Sequence, residues 1–157
     1  MNQIKDLYEK DLILKSRART KEAVLEEVGN YLQERDLVKE TFVSAIIERE
    51  GEFPTGIDLA PVGDNLPNVA IPHTDTEHCK TKAIVFVKLE ESITFNNMIK
   101  PDEELEVNYL FCIVNDQKTN QTNVLSELMA FMTNEENMHQ LEELDSEEEI
   151  YKFLTKN

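Results

Sequence analysis

The chain has 157 residues, 40% apolar and 31% charged, and its 32 acidic against 16 basic side chains give a formal charge of −16. That length predicts one domain with a core large enough to fold without disulfide or metal staples, and the acidity argues against nucleic acid or an anionic membrane face as a partner. No apolar run reaches the roughly 18 residues that a membrane-spanning helix needs, and the opening MNQIKDLYEK lacks the apolar core of a signal peptide, so a cytoplasmic chain without membrane insertion is expected.

Residues 1–19 show no strong periodicity and read as a loosely packed N-terminal segment. From Lys21 to Gln33 the apolar residues Val24, Leu25, Val28, Tyr31 and Leu32 recur at helical spacing behind Thr20, a natural N-cap. A second helix carries Phe42, Val43, Ile46 and Ile47 on one stripe and leaves Glu48, Arg49 and Glu50 on its last turn. Gly51, Pro54, Gly56, Pro61, Gly63, Pro67 and Pro72 then crowd one stretch, which predicts turns and a long loop of the kind that often carries function.

Beyond it the pattern changes to strands. Asn68–Ile71 is short and apolar, whereas AIVFVKL (83–89) and VNYLFCIV (107–114) are β-branched, aromatic and apolar on both faces, as central strands are. Ile93 and Phe95 between them suggest a short edge strand. Val124, Leu125, Leu128, Met129 and Met132 mark a third helix. The acidic end reads as helical, with Ser146 and Glu149 forming a capping-box pattern before Ile150. The order predicts a single-domain α/β sandwich, a mixed β-sheet flanked by helices.

Candidate chemistry is sparse. Cys79 and Cys112 read as reduced, unpaired thiols, and His139 as a surface residue of the acidic tail. His73 differs: it follows the apolar VAI and a proline, so it stands where a strand stops pairing, beside the glycine-rich loop. Three chemistries suit such a ring. A nucleophilic histidine needs one free ring nitrogen and a partner that fixes the tautomer. Phosphoryl transfer would add cationic or N–H groups around the phosphoryl oxygens, and Arg49 with the backbone N–H groups of Thr55 and Gly56 are nearest in sequence. A metal site could draw on His73, Asp75, Glu77 and His78, although HTDTEH has no standard ligand spacing. A Ser/His or Cys/His hydrolase lacks a nucleophile-elbow glycine pattern.

The runs Arg49-Glu50, Pro54-Thr55-Gly56-Ile57 and Val69-Ala70-Ile71-Pro72-His73 carry a resemblance. In order and spacing they are similar to the RE…TGI…AIPH pattern of enzyme IIA domains of the mannitol/fructose class in the bacterial phosphoenolpyruvate-dependent sugar phosphotransferase system. Pro-Thr-Gly and the Thr-Asp after the histidine look most like the galactitol-type branch. The resemblance implies a phosphocarrier in which His73 accepts a phosphoryl group from the carrier HPr and passes it to a IIB component. That component would serve a membrane IIC in uptake of a sugar or polyol, with no metal or organic cofactor. It also implies that Arg49 neutralises phosphoryl charge. Many members carry a second histidine where this chain has Gln121, which can donate a neutral hydrogen bond but cannot titrate near neutral pH. Similar domains also act as stand-alone regulators whose phosphorylation controls a binding partner, and that reading stays open, as does a metal-binding hydrolase built on HTDTEH.

Overall fold

The computed structural model describes residues 4–117 and 121–156, except for the side chains of residues 121 and 122. The elements follow in the order β1 (Ile13–Ser16), α1 (Lys21–Glu34), α2 (Phe42–Glu52), β2 (Gly56–Ile57), β3 (Asn68–Ala70), β4 (Ala83–Asn96), β5 (Glu104–Val114), α3 (Gln121–Met132), α4 (Glu135–Glu143) and α5 (Glu147–Thr155). The strands form one mixed sheet in the order β1-β4-β5-β3-β2. Pairing is parallel for β1 with β4 and for β3 with β5, and antiparallel for β4 with β5 and for β2 with β3.

Alternation along the two long strands divides the interior into two cores. Val85, Val87, Leu110 and Cys112 point to one face, where Val24, Val28 and Leu32 of α1 and Phe42 and Ile46 of α2 cover them. Ile84, Phe86, Phe111 and Ile113 point to the other, under Leu128 and Met132 of α3, Met138 and Leu141 of α4, and Ile150 and Leu154 of α5. Both faces are dry along Ala83–Val87 and Tyr109–Val114, which is why those runs are apolar without interruption. The predicted α/β sandwich is the observed one. Among the described residues, no helix is long and apolar enough to cross a membrane.

The caps stand where the sequence puts them. Thr20 accepts the Ala23 N–H at the start of α1, and Ser146 accepts the Glu149 N–H at the start of α5. Two segments differ from expectation. Ile93 and Phe95 belong to β4 itself and pair with Val107 and Leu105 of β5. The register shifts between Lys88 and Ile93, where Glu90, Glu91 and Ser92 face water, so a bulge in one strand reads as a gap between two. The N-terminal segment is packed: Tyr8 is 3% exposed, Leu12 is fully buried, and Ile13–Ser16 pairs with Phe86–Leu89 at the sheet edge.

Candidate functional site

Strand β3 ends under tight control. Gly56 and Ile57 pair with Ala70 and Val69, the Thr55 carbonyl accepts the Ile71 N–H at 3.2 Å, and the Pro72 carbonyl accepts the Ile113 N–H at 3.0 Å. The peptides before His73 are thus tied to strands on both sides, and the chain leaves the sheet immediately afterwards.

The imidazole of His73 is partly buried, with Nδ1 lying 2.8 Å from the carbonyl oxygen of Ile71. A carbonyl can only accept, so Nδ1 carries the proton and Nε2 keeps its lone pair. Burial lowers the pKa of the ring below 6.5, and the charge of Arg49 lowers it further. The Ile71 hydrogen bond and Asp75 act in the opposite direction. Burial thus favours the neutral ring, in which Nε2 is the unprotonated nitrogen.

Arg49 reaches the same end of the sheet from the last turn of α2. Its guanidinium lies 5.2 Å from the centroid of the Phe53 ring, and one terminal nitrogen is 3.6 Å from Asp75 Oδ1. Its Nε is buried and finds no acceptor among the described residues. A shallow cleft of about 250 Å³ opens beside Arg49, lined in part by Phe53, Thr74, Asp75 and His78; His73 adjoins it in sequence and does not line it.

The other sequence candidates divide. Thr55 is 3% exposed, its N–H donates to Glu50 Oε2 at 2.8 Å, and its hydroxyl donates to Glu50 Oε1 at 2.7 Å. The expectation that the Thr55 N–H holds phosphoryl oxygens is corrected on that ground, since a carboxylate already takes it. Gly56 serves the sheet: its carbonyl accepts the Met98 N–H at 2.8 Å, and a Cβ at this position would lie 2.6 Å from the Asn96 carbonyl oxygen. Gln121 is the first residue of α3, and the role expected of its side chain falls outside the described residues. In the HTDTEH segment, Asp75 faces Arg49 and His78 Nδ1 pairs with the Thr41 hydroxyl at 2.7 Å, so each has another partner. Among the described residues, no group of three or more His, Cys, Asp or Glu side chains is disposed to hold a metal ion. Cys79 and Cys112 are free and buried, and burial raises the pKa of both thiols. His139 is a surface residue between Glu135 and Glu142.

Glu50 is the participant that sequence reasoning passed over. It is 3% exposed, and burial pushes its carboxyl up to about 7 against the opposing hydrogen bonds from Thr55 and the charges of Lys21 and Arg49. Its signal was present in the helix phase, because Phe42, Ile46 and Glu50 fall at i, i+4 and i+8 on the buried stripe.

A mixed sheet with helices on both faces and a histidine at the exit of a short inner strand, beside a helix-borne arginine, defines a class that comparison with known proteins identifies. The chain belongs to the phosphoenolpyruvate-dependent sugar phosphotransferase system EIIA 2 family, whose model matches residues 7–157. It is 29% identical over 102 residues to the galactitol-specific EIIA component of Escherichia coli K12; the match covers 65% of this chain and 64% of that relative's length. Its fold is similar to the mannitol enzyme IIA of Escherichia coli solved in complex with phosphorylated mannitol enzyme IIB, with a TM-score of 0.73, 20% identity and coverage of 94% of this chain and 98% of that one. It is also similar to the nitrogen regulatory protein IIA-Ntr of Neisseria meningitidis, with a TM-score of 0.70, 23% identity and coverage of 97% and 99%. At such identities these structural likenesses carry the fold alone.

Proposed function

We propose that this chain is a cytoplasmic phosphocarrier of a sugar phosphotransferase system. In this reading His73 accepts a phosphoryl group from phospho-HPr and passes it to a IIB component that serves a membrane IIC in uptake of a galactitol-like sugar or polyol. The observation that carries the reading is the 2.8 Å contact between His73 Nδ1 and the Ile71 carbonyl, which leaves Nε2 as the free nitrogen at the end of β3.

The chemistry follows from that tautomer. The Nε2 lone pair attacks phosphorus in line, the bond from phosphorus to the donor's ring nitrogen breaks, and its electron pair stays with the donor. The phosphorylated ring keeps its Nδ1 proton, and the Ile71 carbonyl stabilises the positive charge that develops there. Arg49 offsets the negative charge of the phosphoryl oxygens. Transfer to IIB reverses these roles, with His73 as the leaving group. Gln121 would serve as a neutral donor to a phosphoryl oxygen.

Incubation with phosphoenolpyruvate, enzyme I and HPr should label the wild-type chain and leave His73→Ala unlabelled with an unchanged circular dichroism spectrum. Labelled chain should then pass its phosphoryl group to purified IIB. Labelling of His73→Ala would overturn the assignment. Label that stays on His73 with every IIB offered would favour a regulatory phosphoprotein.

A further inference from the structure

Glu50 occupies a place where a carboxylate is unfavourable twice over. It is buried beneath α2, and it sits in the last turn of that helix, where the unpaired carbonyls already make the end negative. The chain nevertheless closes onto it. After Pro54 the backbone brings both donors of Thr55 to its two oxygens, at 2.8 and 2.7 Å. The charged and titratable groups facing it are Lys21 at the start of α1, Arg49 on its own helix and Cys112 on β5.

The contacts continue beyond Thr55. Its carbonyl accepts the Ile71 N–H at 3.2 Å, and the Ile71 carbonyl takes the Nδ1 proton of His73 at 2.8 Å. Three hydrogen-bonded links therefore join Glu50 to the imidazole through the backbones of Thr55 and Ile71, each of which is held on both its N–H and its C=O side. Arg49 precedes Glu50 in the same turn of α2.

We propose that Glu50 is a positioning residue for His73: by holding Thr55, whose carbonyl in turn holds the Ile71 N–H, it helps place Ile71, and with the Ile71 carbonyl the Nδ1–H tautomer and the direction of Nε2. This rests on His73 being the phosphoryl acceptor, but the ring geometry can be tested without any phosphoryl donor. A displacement of the Ile71 carbonyl by a fraction of an ångström weakens its hold on the ring and lets the Nε2–H tautomer, which has no nucleophilic Nε2, become populated.

The test compares the full-length wild-type chain with Glu50→Ala, Glu50→Gln and Thr55→Val. It measures the ring 15N shifts of His73 by NMR and the initial rate of phosphorylation by phospho-HPr per folded molecule. Wild type should show the Nδ1–H tautomer alone. Glu50→Ala should show a mixture and a rate lower by about tenfold or more. Glu50→Gln keeps an oxygen for the Thr55 N–H and offers an amide N–H that the Thr55 hydroxyl can accept, so it should recover most of both. If Glu50→Ala does not fold, Thr55→Val, which removes one of the two bonds, decides through a smaller shift in the same direction. Wild-type ring shifts and rates in the folded Ala variant, or in Thr55→Val where Ala does not fold, would overturn the proposal. Failure of the phosphocarrier reading looks different: wild type itself would take no label, while the ring shifts would still respond to Glu50.

Discussion

At the scale of single residues, two buried titratable groups near one strand end respond to pH in opposite senses. The folded pKa of His73 lies below its ordinary 6.5, so below that pH the unfolded chain binds the extra proton. Its contribution to stability is present above pH 6.5 and declines as the pH falls. Glu50 is raised from 4.5 to about 7, so between those values the folded chain holds the extra proton. Its contribution is full below pH 4.5 and is lost as pH rises through about 7. The stability advantage of wild type over Glu50→Gln should therefore shrink between about pH 5 and about pH 7.5 in urea unfolding. Parallel stabilities across that range would contradict a buried, strained carboxyl. An NMR titration of the His73 ring should likewise give a midpoint below 6.5, and a midpoint above it would mean that the ring is not desolvated. His73 and Arg49 were legible in sequence because strand, proline and histidine are contiguous and the arginine closes a clear helical stripe. Thr55 was misread for a physical reason: an N–H in a glycine- and proline-rich loop looks free until its acceptor is known, and Glu50 becomes that acceptor only through the chain reversal at Pro54.

At the scale of elements, the site depends on how closely β2 lies against the strand connection at Asn96–Asn97. A Cβ on Gly56 would stand 2.6 Å from the Asn96 oxygen and 3.2 Å from its carbonyl carbon, both backbone atoms that cannot rotate away. Gly56→Ala should cost about 1–3 kcal/mol in denaturant unfolding. Because β2 holds the end of β3, the variant should also lose phosphorylation beyond its loss of folded protein. An alanine variant as stable as wild type would show that β2 moves freely. The sequence announced α1, α2, α3 and α5 through period and caps, and it announced β3, β4 and β5 through branched apolar runs. It did not announce β1, whose four residues Ile13–Ser16 show no alternation to read. Their burial comes from pairing with Phe86–Leu89, a contact more than seventy residues away. The continuity of β4 was hidden for a related reason, since its exposed bulge breaks the apolar pattern while the pairing with β5 persists on either side.

At the scale of the molecule, the sheet divides the labour. Helix α2, which carries Arg49 and Glu50, covers one face, while the acidic helices α4 and α5 cover the other. On that second side, edge-to-face aromatic contacts run from Phe86 to Phe111 at 5.1 Å, on to Phe131 at 6.2 Å and to Phe153 at 5.9 Å, linking sheet, α3 and α5. Phe111→Ala should cost about 3–5 kcal/mol. In the folded fraction it should disturb the His73 ring shifts less than Glu50→Ala does, because β5 reaches that segment through the backbone, by its pairing with β3 and the Ile113 N–H to the Pro72 carbonyl. The central claim is that Nε2 of one histidine, freed by the proton held at Nδ1, is the atom that carries the phosphoryl group. Its most direct measurement is 15N and 31P NMR of the chain, labelled with 15N-histidine, after phosphorylation by phosphoenolpyruvate, enzyme I and HPr. The expected result is a single phosphorylated histidine, His73, with phosphorus coupled to Nε2. Coupling to Nδ1, or a phosphoryl group on any other residue, would contradict it.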